Sequence, residues 1–317
     1  MPSVLVTDRI QQAALDLLAQ RSDVIIRLCP DRKTEEELVA RAGGVDAILV
    51  GATRITGKII DAAGGLKVVS RRGVGYDNVD LAALRRRGIP LAIVGSANAS
   101  TVAEHTLSFI MTLAKQVAAY DRATRSGNWG FRDGLAAMDL LGKNLLLVGF
   151  GRIGRAVAVR AAAFGMRVSA YDPLVAEDFF RELAVEPIAD LLSGLAACDF
   201  MSVHVPLTAD TAGLIGRKEL AAMKPTAYAI STARGGVINE VELLNALRAG
   251  IIGGAGLDVF EEEPLPPNHP LTKLENVVLS PHSASLTREC ALRMDEVAAK
   301  NCLDAIDGKL DPALIVQ

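Results

Sequence analysis

The stretch that decides the fold is Leu145-Leu-Leu-Val148-Gly149-Phe-Gly151-Arg152-Ile153-Gly154, continued by an alanine-rich segment to Phe164 and stopped by Gly165. A short apolar strand runs into a glycine turn and then a helix. Gly149 permits the tight turn, Gly151 lets the backbone approach a pyrophosphate, and Gly154 lets the helix pack on the strand. The helix start, with Arg152 and Ile153, presents unpaired N–H groups and a partial positive charge to an anion. The next strand, Met166–Tyr171, leads into Asp172, eighteen residues past Gly154. A carboxylate at that point accepts hydrogen bonds from ribose hydroxyls and repels a 2′-phosphate. Pro173 and Leu174 follow it rather than an arginine, so the cofactor expected is NAD and not NADP.

Strand-like and helix-like segments alternate on both sides of this unit. Downstream, Phe200–Val205, Ala227–Ser231, Gly254–Asp258 and Val277–Ser280 are short and apolar on both faces, as central parallel strands are. Upstream, Ser3–Thr7, Val24–Leu28, Asp46–Val50, Lys67–Ser70 and Leu91–Val94 alternate with helical spacing at Gln11–Gln20 and Thr34–Ala42. Thr34 with Glu37 three residues on forms a capping box. The fold class expected is α/β with parallel sheets. A single long helix is expected from Thr101 to about Ser126, with Ser100 as its N-cap. The stretch Gly127–Leu141, which holds Trp129, reads as a long loop, either an arm reaching a partner subunit or an exposed surface segment.

Composition narrows the function classes. The chain has 317 residues, long enough for two domains, and half of them are hydrophobic. A formal charge of −3 gives no reason to expect nucleic acid or an anionic membrane as partner. No run of 18 apolar residues occurs and the start, Met1-Pro2-Ser3-Val4, lacks a leader pattern, so a soluble cytoplasmic protein is expected. Cys29, Cys198, Cys290 and Cys302 are scattered and only four histidines occur, so no metal site is expected.

Three further segments place polar groups at the carboxyl ends of strands, where open α/β sheets bind ligands. In Ser231-Thr232-Ala233-Arg234-Gly235-Gly236 an arginine sits on a glycine-rich turn and can offer a donor fork to a carboxylate. In Asp258-Val-Phe-Glu261-Glu262-Glu263-Pro264 spacing alone does not choose among the three glutamates. In Ser280-Pro281-His282-Ser283 an imidazole follows an apolar strand, a suitable base for the hydroxyl proton released in hydride transfer. His204, which ends a strand, competes with His282 for that role. His105, within a helix, and His269, in a loop, look unremarkable.

Taken together the motifs are recognisable. Gly73-Val74-Gly75-Tyr-Asp-Asn-Val-Asp80, Thr101-Val-Ala-Glu-His-Thr106, the Gly149–Gly154 turn, His204-Val-Pro-Leu-Thr208, Thr232-Ala-Arg-Gly235, Leu257-Asp-Val-Phe260 with Glu263-Pro264, and Pro281-His282 resemble, nearly end to end, the D-isomer-specific 2-hydroxyacid dehydrogenases. The resemblance implies Arg234, Glu263 and His282 as catalytic residues. It implies that Asp258 faces the nicotinamide end of NAD, that Thr232, Ala233 and Arg234 with His204, Val205 and Pro206 line the cofactor, and that Val102 and Thr106 are weaker contacts. The backbone at Val74 and Gly75 is implied to take the substrate carboxylate.

The resemblance further implies two Rossmann-like domains, the cofactor domain (99–284) inserted into a substrate domain (1–98 and 285–317), and a homodimer. The reaction implied interconverts a D-2-hydroxy acid and its 2-keto acid, with 3-phosphoglycerate, hydroxypyruvate and glyoxylate as candidate types. His282 then passes a proton to or from the substrate oxygen, Glu263 favours its imidazolium, Arg234 binds carboxylate, and domain closure excludes water.

Two departures bear on substrate. The loop Val50-Gly51-Ala52-Thr53 lacks an arginine often found there in phosphoglycerate dehydrogenases. Conversely, Arg71 and Arg72 precede Gly73, and one of them, Arg72 in the first place, is expected to read a second anionic group on the substrate, unless one caps a helix or pairs with a surface acid. The chain stops at Gln317 without the regulatory extension of some phosphoglycerate dehydrogenases, so feedback through such a module is not expected. The alternative from another class is a non-catalytic NAD-sensing protein like the corepressors that share this architecture.

Overall fold

A computed structural model describes residues 1–29 and 34–316. The chain divides into two compact units, Met1–Asn98 with Leu286–Gln317, and Ala99–Ser285. In the first, β1 (Ser3–Val6), α1 (Gln12–Ala19), β2 (Ile25–Leu28), α2 (Glu35–Ala42), β3 (Ala47–Val50), α3 (Gly57–Ala62), β4 (Val68–Arg71), α4 (Leu81–Arg86) and β5 (Leu91–Ala92) alternate along the chain. The strands pair in parallel in the order β2-β1-β3-β4-β5. The capping box forms at the start of α2: the Thr34 hydroxyl accepts the Glu37 N–H at 3.3 Å and the Glu37 carboxylate accepts the Thr34 N–H at 2.9 Å. Asp80 caps α4 in the same manner through the Ala83 N–H, at 2.9 Å.

The second unit begins with α5 (Ala99–Ala114) and α6 (Val117–Arg125), followed by a 3-10 turn at Trp129–Gly134. Then come β6 (Asn144–Val148), α7 (Arg152–Ala163), β7 (Arg167–Tyr171), α8 (Glu177–Glu182), β8 (Glu186–Pro187), α9 (Leu191–Ala197), β9 (Phe200–Val203), α10 (Arg217–Ala222), β10 (Tyr228–Ser231), α11 (Glu240–Arg248), β11 (Gly254–Leu257) and β12 (Val277–Leu279). Its sheet has the order β12-β11-β10-β9-β6-β7-β8, so the direction of winding reverses at β6. Ligands of doubly wound sheets bind at the carboxyl ends of the strands where this reversal occurs. Every residue of β9, β10 and β11 is buried, as helix cover on both faces requires. The chain then returns to the first unit in α12 (Arg288–Ile306), whose Cys290, Met294, Ala298, Ala299 and Cys302 pack among Val4, Val6, Ala47, Leu49 and Val68.

One expected element is corrected. The long helix from Thr101 to Ser126 is two helices, broken at Gln116, which adopts the left-handed conformation (φ 52°). The Ala114 carbonyl accepts the N–H of Met138 from the returning loop at 2.7 Å, in place of a partner in the next helical turn. Ser100 is likewise no N-cap. It lies inside α5, and its hydroxyl contacts Glu104 at 3.0 Å and the Arg160 guanidinium. The edge strand β8, only Glu186–Pro187, carries no periodicity that a sequence reading could use.

Candidate active site

The glycine turn follows β6 as its sequence requires. Gly149 has φ 102°, and a Cβ there would lie 2.8 Å from the His204 carbonyl carbon and 2.9 Å from the Val205 nitrogen. A Cβ on Gly154 would meet the Gly149 oxygen at 2.3 Å, so the first turn of α7 is packed directly on the loop. Gly151 is different: nothing lies within 4 Å of its missing Cβ. It is the N-cap of α7, and its carbonyl accepts the Arg155 N–H at 3.0 Å. The N–H groups of Arg152 and Ile153 therefore point from an open glycine at the positive end of a twelve-residue helix.

Asp172 sits beside this turn, its Oδ2 accepting the Phe150 N–H at 2.8 Å and its Oδ1 the Leu174 N–H at 3.0 Å. The carboxylate thus fixes the glycine loop as well as standing at the end of β7. His204 donates its backbone N–H to Val148 O at 2.7 Å and bonds Ser202 Oγ through Nε2 at 2.9 Å, leaving Nδ1 buried without a partner. Burial pushes this imidazole down to about 3, so it stays neutral and is unsuited to proton transfer near neutral pH. Thr106 and Val102 are buried in α5. The Thr106 hydroxyl donates to Val102 O at 2.9 Å and lies 3.0 Å from that of Thr232.

The remaining polar residues gather beyond β10, β11 and β12. Glu263 Oε2 lies 2.7 Å from His282 Nδ1, and Glu263 Oε1 accepts the Phe260 N–H at 3.0 Å. Partial burial pulls this carboxyl up. The hydrogen bond to His282, the Phe260 N–H and the nearby Arg234 charge outweigh it and hold Glu263 below the usual glutamate range. Arg234 is brought to the same loop because Gly235 has no side chain: a Cβ there would lie 1.9 Å from the Phe260 oxygen. The Arg234 guanidinium also donates to Ala233 O at 2.7 Å. Among the three glutamates that spacing left open, Glu261 instead accepts the Glu240 N–H at 3.0 Å, so the pairing itself singles out Glu263.

Asp258, expected to face a cofactor, is 1% exposed, and the bonds it accepts come from the segment that carries His282. Its Oδ1 accepts the Ser280 hydroxyl at 2.5 Å and the Ser283 N–H at 2.7 Å, its Oδ2 accepts the Ala284 N–H at 2.9 Å, and its carbonyl accepts the His282 N–H at 2.8 Å. His105, unremarkable in the sequence, joins this group: its Nε2 lies 2.9 Å from Ser280 Oγ. No local pattern signals that contact, because α5 and the end of β12 are 175 residues apart in the chain.

In the first unit, Arg72 pairs with Asp295, which is fully buried in α12 and also accepts the Gln11 N–H at 2.7 Å. Burial pulls the Asp295 carboxyl above the usual aspartate range, against the Gln11 N–H and the Arg72 charge that favour its ionised form. Arg71 donates to Asn78 Oδ1 at 3.3 Å and to the Arg72 carbonyl. Val74 and Gly75 follow on the loop after β4. Among the described residues no group of three His, Cys, Asp or Glu side chains is placed to hold a metal, and no helix is long and apolar enough to cross a membrane.

With the geometry in place, comparison with known proteins is direct. Residues 107–284 match the family model for the NAD binding domain of D-isomer specific 2-hydroxyacid dehydrogenases. A glyoxylate reductase of Thermofilum pendens is 40% identical across 99% of this chain and 94% of its own length. The chain belongs to the D-isomer specific 2-hydroxyacid dehydrogenases. A D-3-phosphoglycerate dehydrogenase of Archaeoglobus fulgidus is 36% identical over 96% of this chain, which spans 57% of that longer protein. The crystal structure of the TT0316 protein of Thermus thermophilus superposes with a TM-score of 0.89 at 38% identity, covering 99% of this chain and 100% of that one. This 2-hydroxyacid dehydrogenase is therefore an NAD-dependent oxidoreductase, with the two parallel-sheet α/β units of its family. The comparisons give the sensing alternative no support.

Proposed function

We propose that this dehydrogenase reduces a small 2-keto acid of the glyoxylate or hydroxypyruvate type, with His282 as proton donor, Glu263 as its partner and Arg234 as the carboxylate-binding cation. The observation that carries the reading is the 2.7 Å bond between His282 Nδ1 and Glu263 Oε2 beside the Arg234 turn. It turns Nε2 of the ring toward the substrate and supplies the imidazolium with a counter-charge. The residues present also fit NAD: the glycine turn is closed everywhere except over Gly151, where a pyrophosphate can meet the N–H groups of Arg152 and Ile153.

Asp172 holds the adenosine ribose in this reading, and Val205, Pro206, Thr232, Ala233 and Asp258 line the rest of the cofactor. Bound NADH supplies the hydride for C2 of the keto acid. Arg234 draws negative charge toward the carbonyl oxygen, His282 gives that oxygen its proton, and Glu263 keeps the ring in register. In the oxidative direction neutral His282 accepts the hydroxyl proton. Val74 and Gly75 are assigned to the substrate carboxylate by the family resemblance.

Two observations favour a substrate without a second anionic group: Arg72 is committed to Asp295, and Arg71 is bonded to Asn78 and the backbone. NADH consumption measured with glyoxylate, hydroxypyruvate and 3-phosphohydroxypyruvate tests the reading. Turnover of either of the first two ahead of the third is expected; turnover of none of them overturns it.

A homodimer is part of the same reading. Helix α6 has no buried residue, and Val117, Trp129, Phe131 and Leu135 are 52%, 65%, 42% and 84% exposed around it, an apolar surface suited to a second copy. The four free cysteines, all buried, suit a reducing cytoplasm.

A further inference from the structure

The Ser280 hydroxyl has one proton to give and two neighbours within hydrogen-bond range, the Asp258 carboxylate at 2.5 Å and His105 Nε2 at 2.9 Å. An ionised carboxylate only accepts, so the serine proton goes to Asp258, beside the Ser283 and Ala284 N–H groups that the same carboxylate takes. Ser280 Oγ is then the acceptor toward α5, and His105 must be the donor, with its proton on Nε2. The chain of bonds runs one way, from His105 Nε2–H to Ser280 Oγ–H to Asp258 Oδ1. Bonds aligned in this manner strengthen one another. The His105 ring is itself fixed edge-on against Phe109, one turn further along α5, with centroids 4.7 Å apart at 81°.

What the relay holds is the segment that carries His282. His282 has φ 51°, a left-handed backbone that is costly for a non-glycine residue and persists only when its surroundings impose it. Asp258 imposes it, through its carbonyl on the His282 N–H and its carboxylate on the next two N–H groups.

We propose that His105 is a positioning residue: by donating Nε2–H to Ser280 it orients the hydroxyl that anchors Asp258, and so sets the backbone from which His282 reaches the substrate. The inference rests on the assignment of His282 as the proton donor, and it names a group on a different element that makes that assignment work.

The test uses the full chain with NADH and glyoxylate, and in parallel protein labelled with 15N-histidine. The four histidines are few enough for each ring to be assigned by substitution. Misplacement of a catalytic group by about an ångström costs up to about a hundredfold in rate, so His105→Ala should lower kcat by between about ten- and a hundredfold while leaving KM for NADH within twofold. His105→Gln, which can return an amide N–H near the same point, should recover most of the loss. The double variant His105→Ala with Ser280→Ala should be no slower than Ser280→Ala alone, as groups acting through one hydroxyl require. In the spectra, His105 should carry its proton on Nε2, and the His282 ring signals should move in His105→Ala and return in His105→Gln.

Full activity in His105→Ala, multiplicative losses in the double variant, or a neutral His105 protonated on Nδ1 would overturn the proposal. If the wild type turns over no glyoxylate, the reaction assigned above is at fault, and the His282 signals alone decide the positioning role.

Discussion

His282 and Glu263 are 19 residues apart in the chain and joined by a 2.7 Å hydrogen bond, with the second glutamate oxygen anchored on the Phe260 N–H. His282→Ala should lower kcat by about 10²–10⁴ with NADH affinity retained, the usual contribution of a positioned acid or base. Glu263→Gln should give a smaller loss, because an amide can still accept from the ring but carries no charge. Glu263 is held below the usual glutamate range, so its carboxylate favours the folded state above about pH 4.5, and that contribution fades as acid is added below this point. Stopped-flow hydride transfer in the two variants checks the ranking, and wild-type rates in either one contradict it.

Asp172, the proposed ribose partner, also ties down the glycine loop. Replacing it with serine removes the charge that repels a 2′-phosphate, and the ratio of kcat/KM for NADH to that for NADPH should fall by about tenfold or more. The same change strips acceptors from the Phe150 and Leu174 N–H groups, so the melting temperature should fall as well. An unaltered cofactor ratio would remove the ribose role from Asp172 while leaving its loop-holding role intact.

His204 makes a pH-dependent contribution of definite sign. In the unfolded chain its imidazole takes up a proton near 6.5, whereas in the folded protein it resists until about 3. Acid therefore favours the unfolded state: the stability is present above pH 6.5 and is lost progressively as pH falls toward the folded value. Thermal unfolding followed from neutral to mildly acidic pH should show this decline in the wild type and a shallower one in His204→Asn. Parallel curves for the two proteins would refute the account.

Arg72→Ala leaves the Asp295 carboxylate buried without its cation. Breaking such a pair from one side costs about 3–5 kcal/mol, so a large drop in melting temperature is expected. Relative activity on hydroxypyruvate and 3-phosphohydroxypyruvate should not change if the guanidinium is held by Asp295 alone. A shift in that ratio at undiminished stability would restore Arg72 to the substrate site.

Local chemistry makes much of this structure legible. The strand–glycine–helix unit at Leu145–Gly154, the Thr34 capping box and the buried parallel strands each announce themselves because the same residues make and satisfy the feature. The place of Asp172 at the end of β7 is equally plain, although its bonds to Phe150 and Leu174 leave no mark in the sequence. What escapes depends on distant partners. The break at Gln116 arises because Met138 takes over a helical carbonyl, and Arg72 turns to Asp295 from more than 200 positions away. Periodicity reports what a segment buries, not which remote group competes for its hydrogen bonds.

The return of α12 to the first unit bears on how the protein is made. Synthesis proceeds from the N-terminus, and domains fold as units once their sequence has emerged. The sheet that ends in β12 draws all its strands and helices from one continuous stretch, Ala99–Ser285, so its interior can close without waiting for a later segment. The earlier sheet cannot: the face formed by Val4, Val6, Ala47, Leu49 and Val68 has only Ala14 and Leu18 of α1 over it until Cys290–Cys302 arrives. The first-made unit thus gains its full core only when the last-made helix is in place.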